Sequence, residues 1–421
     1  MVCPIRSRNR LDAREKRAAM AASNDPLTSH RGSTRRSALG LIAVAPLVAA
    51  CSGIQNSLTS LTPGAPSEAP AGPPQQPTTV GSGGVKVGLI LPLSGQGNAG
   101  VVAQSMKNAA EMALAEFQNP NVQLLVKDDA GTAAGAQQGA QQALDEGAEI
   151  MLGPLFALSV PAAAQLTRAR NVPMIAFSTD STVAGRGVYL LSFLPESQVS
   201  RIVSYTAGTG KQAFAAMLPE SAYGNVVEAA FKQEVARRGG RIVAFEKYGA
   251  DRSAAVRNVT QALGGVDALL LADDDAGAMV AVADALNSGG GNLKRVQLIG
   301  TGVWDNPRVF SSAIMQGGTY AAPDPAGFRA FSGRYRTKYG QEPVRPAALA
   351  YDAVALVAAL ARTQGPQRFS QDVLLNTSGF AGTDGLFRFR ADGTNERGLA
   401  VLKVASGGGQ TVAASPKSFA T

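Results

Sequence analysis

Val85-Lys86-Val87-Gly88-Leu89-Ile90-Leu91-Pro92-Leu93-Ser94-Gly95 is the stretch that sets the reading of the chain. An aliphatic run of this length, closed by proline and a Ser-Gly turn pair, reads as a strand buried on both faces, as in parallel sheets. The next stretch changes period. Between residues 101 and 118, Val102, Met106, Ala109, Ala113 and Phe117 recur at helical spacing. The alternation then repeats: short aliphatic runs at 122–126, 149–152, 173–178, 188–193, 214–218, 242–245, 268–272 and 297–300 are separated by Ala-rich amphipathic stretches. Strands alternating with helices predict an α/β fold of parallel sheets covered on both faces.

Roughly 320 residues of this pattern exceed one compact core, so two lobes are expected. The composition break at Pro195-Glu196-Ser197 marks the first crossing between them. In open α/β sheets, ligands bind beyond the carboxyl ends of the strands. The loops to watch therefore follow Pro92, Gly153, Phe177, Leu218 and Gly300.

Ahead of this body, Ser33-Thr34-Arg35-Arg36 leads into a thirteen-residue apolar run over 38–50. The run is too short to span a bilayer, which needs roughly 20 apolar residues, and reads as an export signal over 1–50. Twin-arginine and general secretory export both remain open, and Met20 is an alternative start. Val48-Ala49-Ala50-Cys51 resembles the bacterial lipobox, which makes Cys51 the lipidated first residue of the mature chain. Residues 51–84 are Ser, Thr, Pro, Gly and Gln with scattered Leu, a composition expected for a disordered tether.

Removing the leader changes the chemistry that the chain can offer. The full sequence carries a net +8, but residues 1–50 hold nine basic and three acidic side chains, so the mature part is close to neutral. Nucleic-acid binding therefore gains no support from charge. The single histidine, His30, also falls in the leader, and the remaining cysteine is the acylated one. Ser-His-Asp and Cys-His catalysis and the usual zinc or haem ligands are then missing, and no catalytic residue, cofactor or metal is expected.

Residues 85–95, Leu152-Gly153-Pro154-Leu155, Ala222-Tyr223-Gly224, Ala350-Tyr351-Asp352-Ala353, and Phe380-Ala381-Gly382 through Phe387-Arg388-Phe389-Arg390 with Asp392-Gly393 together resemble the type I periplasmic binding proteins. That family includes the leucine/isoleucine/valine receptors of ABC transporters and the outer-membrane lipoproteins that activate penicillin-binding proteins. The resemblance implies two Rossmann-like lobes joined by three crossover strands and closing around a small ligand. The binding domain is expected over 85–405, with lobe 1 at about 85–195 and 325–375, lobe 2 at about 196–324 and 376–405, and a flexible tail at 406–421.

The resemblance also implies ligand contacts. The first loop after the Gly-x-Leu motif reads Phe156-Ala157-Leu158-Ser159, with Ala157 where a serine hydroxyl is expected; the second reads Phe177-Ser178-Thr179-Asp180, with an acid near the usual place of a neutral hydroxyl. Tyr223 holds the position of a tyrosine packed over the ligand, and Trp304, beside Asp305, offers an aromatic wall suited to an ammonium group. Each has a structural alternative. Ser94-Gly95 suits a tight turn, Ser159 before Pro161 suits a helix cap, and Ser178 and Thr179 suit turn chemistry. Trp304 suits interdomain packing, Tyr351 a core position, and Asp352 a hinge hydrogen bond. Asp273-Asp274-Asp275 and Asp128-Asp129 suit helix caps better than a hard-cation site.

Two functions follow. The first is a lipid-anchored periplasmic receptor that delivers an amino acid, or a similar small polar ligand, to an inner-membrane permease. The second is an outer-membrane lipoprotein that binds a peptidoglycan synthase, its cleft vestigial. Ala157 and Asp180 favour the second, as do Ser52 after the lipidated cysteine, which resembles an outer-membrane sorting signal, and a tether whose r.m.s. span is about 30 Å. In either case the membrane is met through the lipid anchor alone. A hydrolase would need two facing acids, and no pair in the strand-end loops recommends itself.

Overall fold

The structure is a computed structural model that describes residues 79–419. The expected export signal, Cys51 and most of the tether lie outside the described residues. The last part of the expected tether does not: Thr79–Val80 (β1) pairs antiparallel with the strand at 122–128.

Lobe 1 continues with β2 (Val85–Leu91), α1 (Asn98–Glu116), β3 (Val122–Asp128), α2 (Ala133–Asp145), β4 (Ile150–Leu152), α3 (Val160–Ala169), β5 (Met174–Ala176) and β6 (Val188–Leu190). Its six-stranded sheet has the order β1-β3-β2-β4-β5-β6 and is parallel apart from β1. All but one of the seven residues of β2 are buried, as a strand covered on both faces requires. On one side α1 lays down Ala103, Met106, Ala110 and Ala113, and on the other α2 and α3 contribute Ala136, Ala140, Ala163 and Ala164. These small side chains let the helices approach the sheet closely.

The chain leaves β6 through Leu191–Leu194 and enters lobe 2 at α4 (Pro195–Gly208), where the composition break lies. Lobe 2 then runs through β7 (Ala213–Pro219), α5 (Ala222–Arg237), β8 (Arg241–Tyr248), α6 (Ser253–Ala262), β9 (Ala268–Leu271), α7 (Ala276–Ser288), β10 (Gln297–Gly300), α8 (Pro307–Ser311) and β11 (Thr319–Ala322). A second crossing at Pro323-Asp324 returns to lobe 1 with α9 (Pro325–Tyr339), α10 (Ala347–Thr363) and α11 (Gln371–Leu374), followed by the three-stranded sheet β12 (Phe380–Gly382), β13 (Gly385–Phe389) and β14 (Asn395–Arg397). A third crossing, at Gly398-Leu399, reaches β15 (Ala400–Ala405) and β16 (Gly408–Ala413). The lobe 2 sheet has seven strands in the order β16-β15-β11-β10-β9-β7-β8, parallel from β11 to β8 with β15 and β16 antiparallel at the edge.

Two expected boundaries differ. Residues 380–397 do not belong to lobe 2, because Phe387 and Phe389 bury themselves in the lobe 1 core with Leu349, Ala353 and Tyr189. Residues 408–413 are not a flexible tail either: they pair with Val401–Ala405 of β15, satisfying an edge that would otherwise be open.

Candidate functional site

Two of the three crossings leave from the carboxyl ends of β6 and β11, so the strand-end loops of both lobes are turned toward the hinge. The hinge is built around charge. The Ser192 carbonyl of the first crossing accepts hydrogen bonds from Asn395 Nδ2 at 2.8 Å and Arg397 Nε at 2.9 Å, which ties it to the start of the third. Arg397 is buried, its guanidinium 4.7 Å from the Phe193 ring and 5.5 Å from Phe387. Arg345, just ahead of α10, makes an ion pair with the fully buried Asp384 at 2.8 Å and stacks over Phe328 at 4.2 Å.

Asp352 of α10 accepts the Thr383 amide N–H at 2.7 Å, a bond between two lobe 1 elements beside the hinge. Burial pushes its carboxyl up to about 6, against the pull of Arg397. Asp305, at the end of β10, completes the group from lobe 2. It is exposed, yet burial by surrounding protein raises its carboxyl, with Arg345 pulling the other way. A side chain that reaches water while protein crowds it sits in a concave wall.

In lobe 1, Gly153 ends β4 at φ 91°, and a Cβ there would lie 2.1 Å from the Ile90 carbonyl oxygen, so only glycine permits this turn into the Pro154 loop. Phe156 and Ala157 are half-buried in that loop and Leu158 is 60 % exposed. Ser94 is exposed, and its amide N–H is held by Asp128 at 3.1 and 3.2 Å. Burial alone would raise the Asp128 carboxyl; hydrogen bonds from Ser94 and Ala130 outweigh it and hold the group below its ordinary value.

Ser178 is buried and accepts the Asp180 N–H at 3.1 Å, while Thr179 is exposed. The Asp180 carboxylate is spent locally on Thr182, at 2.9 Å to its N–H and 2.6 Å to its hydroxyl. Ser159 stands at the N-cap of α3 but makes no capping bond. Its hydroxyl is buried without a hydrogen-bond partner, so the cap reading fails in geometry though not in position.

In lobe 2, Tyr223 opens α5 and shares a hydrogen bond of 2.6 Å with the Thr301 hydroxyl at the end of β10. Burial raises its phenol pKa well above the ordinary value, so it stays protonated. The acidic run behaves as a cap: Asp275 accepts the N–H groups of Gly277 and Ala278, and Asp273 takes the Tyr248 hydroxyl at 2.6 Å and the Asp275 N–H at 2.8 Å.

Trp304 is a correction. It is fully buried in the lobe 2 core against Tyr320, and its indole N–H donates to the Leu271 carbonyl at 2.8 Å. A Cβ on Gly300 would lie 2.0 Å from its ring, so the ring folds back over its own strand and forms no cleft wall.

The strand ends thus present hydroxyls, a phenol, an apolar loop and one reachable carboxylate, a set suited to holding a small polar molecule by hydrogen bonds. Sequence reasoning passed over Arg345, Asp384 and Arg397. Only the Arg345-Pro346 pair ahead of a helix and the Asp384-Gly385 turn hinted at special positions, since nothing in sequence brings 345, 384 and 397 together.

The profile of the periplasmic binding protein family matches residues 84–409. No curated protein matches the chain. Among solved structures, similarity extends to a Rhodospirillum rubrum protein assigned to branched-chain amino acid ABC transport (TM-score 0.69, 21% identity, 78% of this chain and 99% of that one). It extends also to a solute-binding protein of an ABC transporter from Rhodopseudomonas palustris BisB5 in complex with 3,4-dihydroxybenzoic acid (0.58, 21%, 80% and 97%). A third is a leucine-binding protein from Thermotoga maritima (0.56, 19%, 79% and 98%). With the profile spanning most of the sequence and both lobes, the chain belongs to the periplasmic binding proteins and has their type I fold.

Proposed function

We propose that the protein is a lipid-anchored periplasmic receptor of an ABC-type importer, holding an amino acid of the branched-chain type or a similar small polar ligand between its lobes for an inner-membrane permease. The observation that carries this is the placement of Ser178 and Thr179 in one lobe and Tyr223 with Thr301 in the other, at strand ends turned to a common hinge. The ligands of the structural relatives, leucine and an aromatic acid, support a small polar molecule. The role is binding, with no catalytic step, and the anchor is Cys51. Isothermal titration and thermal shift of the mature protein against amino acids and aromatic acids test the reading. Saturable heat with at least one member is expected; no heat and no shift with any of them would overturn it.

A second reading, activation of a penicillin-binding protein from the outer membrane, draws on one observation: Ala157 offers no hydroxyl and the Asp180 carboxylate is occupied by Thr182. Pull-down with a bifunctional penicillin-binding protein and stimulation of its glycan polymerisation would establish this role. Absence of both would remove it.

A further inference from the structure

A groove of about 780 Å³ lies beside the third crossing, and none of the strand-end residues discussed above lines it. Its walls are α4 and α5 of lobe 2, the segment around Arg390 and Glu396 that packs with lobe 1, and the carboxyl-terminal residues Ala414 and Pro416.

The charge in this groove is unbalanced in one direction. At one end the buried Glu234 serves both Arg237 at 2.7 Å and Arg238 at 2.8 Å; at the other Glu396 serves both Arg388 at 2.9 Å and Arg390 at 3.3 Å. One carboxylate shared by two guanidiniums leaves a positive charge at each end. Between them Arg201 is held by carbonyls alone, Leu399 at 2.9 Å and Ala414 at 3.4 Å, which carry no full charge. Burial lowers its pKa, and the neighbour that offsets this desolvation is the Tyr205 phenol rather than a carboxylate. The lining also includes Arg397, more than nine-tenths buried, whose two terminal nitrogens have no hydrogen-bond partner, while Asp384 and Asp352 lie close enough to offset part of its charge. The third acid of the lining, Glu196, uses one oxygen for the Ser181 hydroxyl at 2.6 Å, and its other oxygen is buried without a hydrogen-bond partner.

We propose that this groove binds a small organic anion with two or more carboxylate or phosphate groups, with Arg201 as the central anchor and the Arg237/Arg238 and Arg390 ends as flanking poles. Guanidinium pairs such groups in bidentate fashion, and the volume is that of a small-molecule site. The site is separate from the strand-end loops and stands whatever ligand those loops hold. Because the walls come from α4, α5 and the segment packed on lobe 1, an occupant bridges the two sides of the hinge.

Citrate and fructose 1,6-bisphosphate are the probes, titrated into the mature protein by calorimetry and followed by thermal melting, with sodium chloride at matched ionic strength as control. At least one probe should bind saturably and raise Tm. Arg201→Gln should weaken it at least tenfold and Arg390→Gln at least threefold, while Arg336→Gln, on an exposed face of α9, should leave it unchanged. The inference is overturned if neither probe binds, if chloride reproduces the shift, or if Arg201→Gln and Arg390→Gln bind as the parent does. Should Arg201→Gln fail to fold, Arg390→Gln decides alone, since among the described residues that half-exposed side chain makes an ion pair with Glu396 alone.

Discussion

Asp352 shows what a single buried carboxylate does to a hinge. Its carboxyl is raised from 3.8 to about 6, so the folded protein holds this proton more tightly than the unfolded chain does. The stability it contributes is fully present below about pH 4 and is lost as pH rises through about 6, on the order of 2–3 kcal/mol for this one group. Asp352→Asn keeps an acceptor for the Thr383 N–H and removes the titration. The Tm of the parent relative to the variant should therefore rise by several degrees between pH 7.5 and pH 4.5; a gap that stays flat would contradict the assignment. At this scale the sequence is least legible. Trp304 and Ser159 were placed correctly along the chain, at a strand end and a helix start, but where a side chain points depends on what packs over it. Gly300 leaves room for the indole to fold back into the core, and Ser159 has helical backbone angles (φ −84°, ψ −28°) in place of the extended ones of a capping serine, and its hydroxyl makes no capping bond.

Elements were far more legible than side chains. Every aliphatic run became a strand; apart from the half-exposed edge strand β8, these are largely buried, and strands buried on both faces leave little room for polar residues and so stand out against amphipathic helices. The helix expected over 101–118 forms as Asn98–Glu116. What escaped was the edge. Residues 408–413 are rich in Gly, Gln and Thr, carry no hydrophobic alternation and read as tail, yet they form β16, held by backbone pairing with β15 and by the close approach of Gly409 to the Tyr320 hydroxyl. Edge strands need only one partner and bury little, so their sequence signal is weak. Ending the chain at Ala405 should lower Tm by at least about 4 °C, equivalent to 1–2 kcal/mol in a protein of this size. An unchanged melting curve would restore the tail reading.

For the whole molecule, two lobes and their hinge were readable from the count of α/β units and from the ordered motifs, whereas the assignment of 380–397 was not. That segment follows lobe 1 because Phe387 and Phe389 find their core there, a long-range choice that local pattern does not encode. The resulting hinge gathers all three crossings around Ser192, Arg345, Asp352, Asp384 and Arg397, with Asp305 reaching in from lobe 2. A receptor with this layout should close when a ligand bridges the strand ends, since a ligand that touches both lobes favours the closed arrangement by its extra contacts. Small-angle X-ray scattering of the mature protein, alone and saturated in turn with each amino acid and aromatic acid of the titration panel, tests that most directly. At least one member should reduce the radius of gyration saturably, in step with its calorimetric binding curve; a scattering profile unchanged by every member would contradict the account.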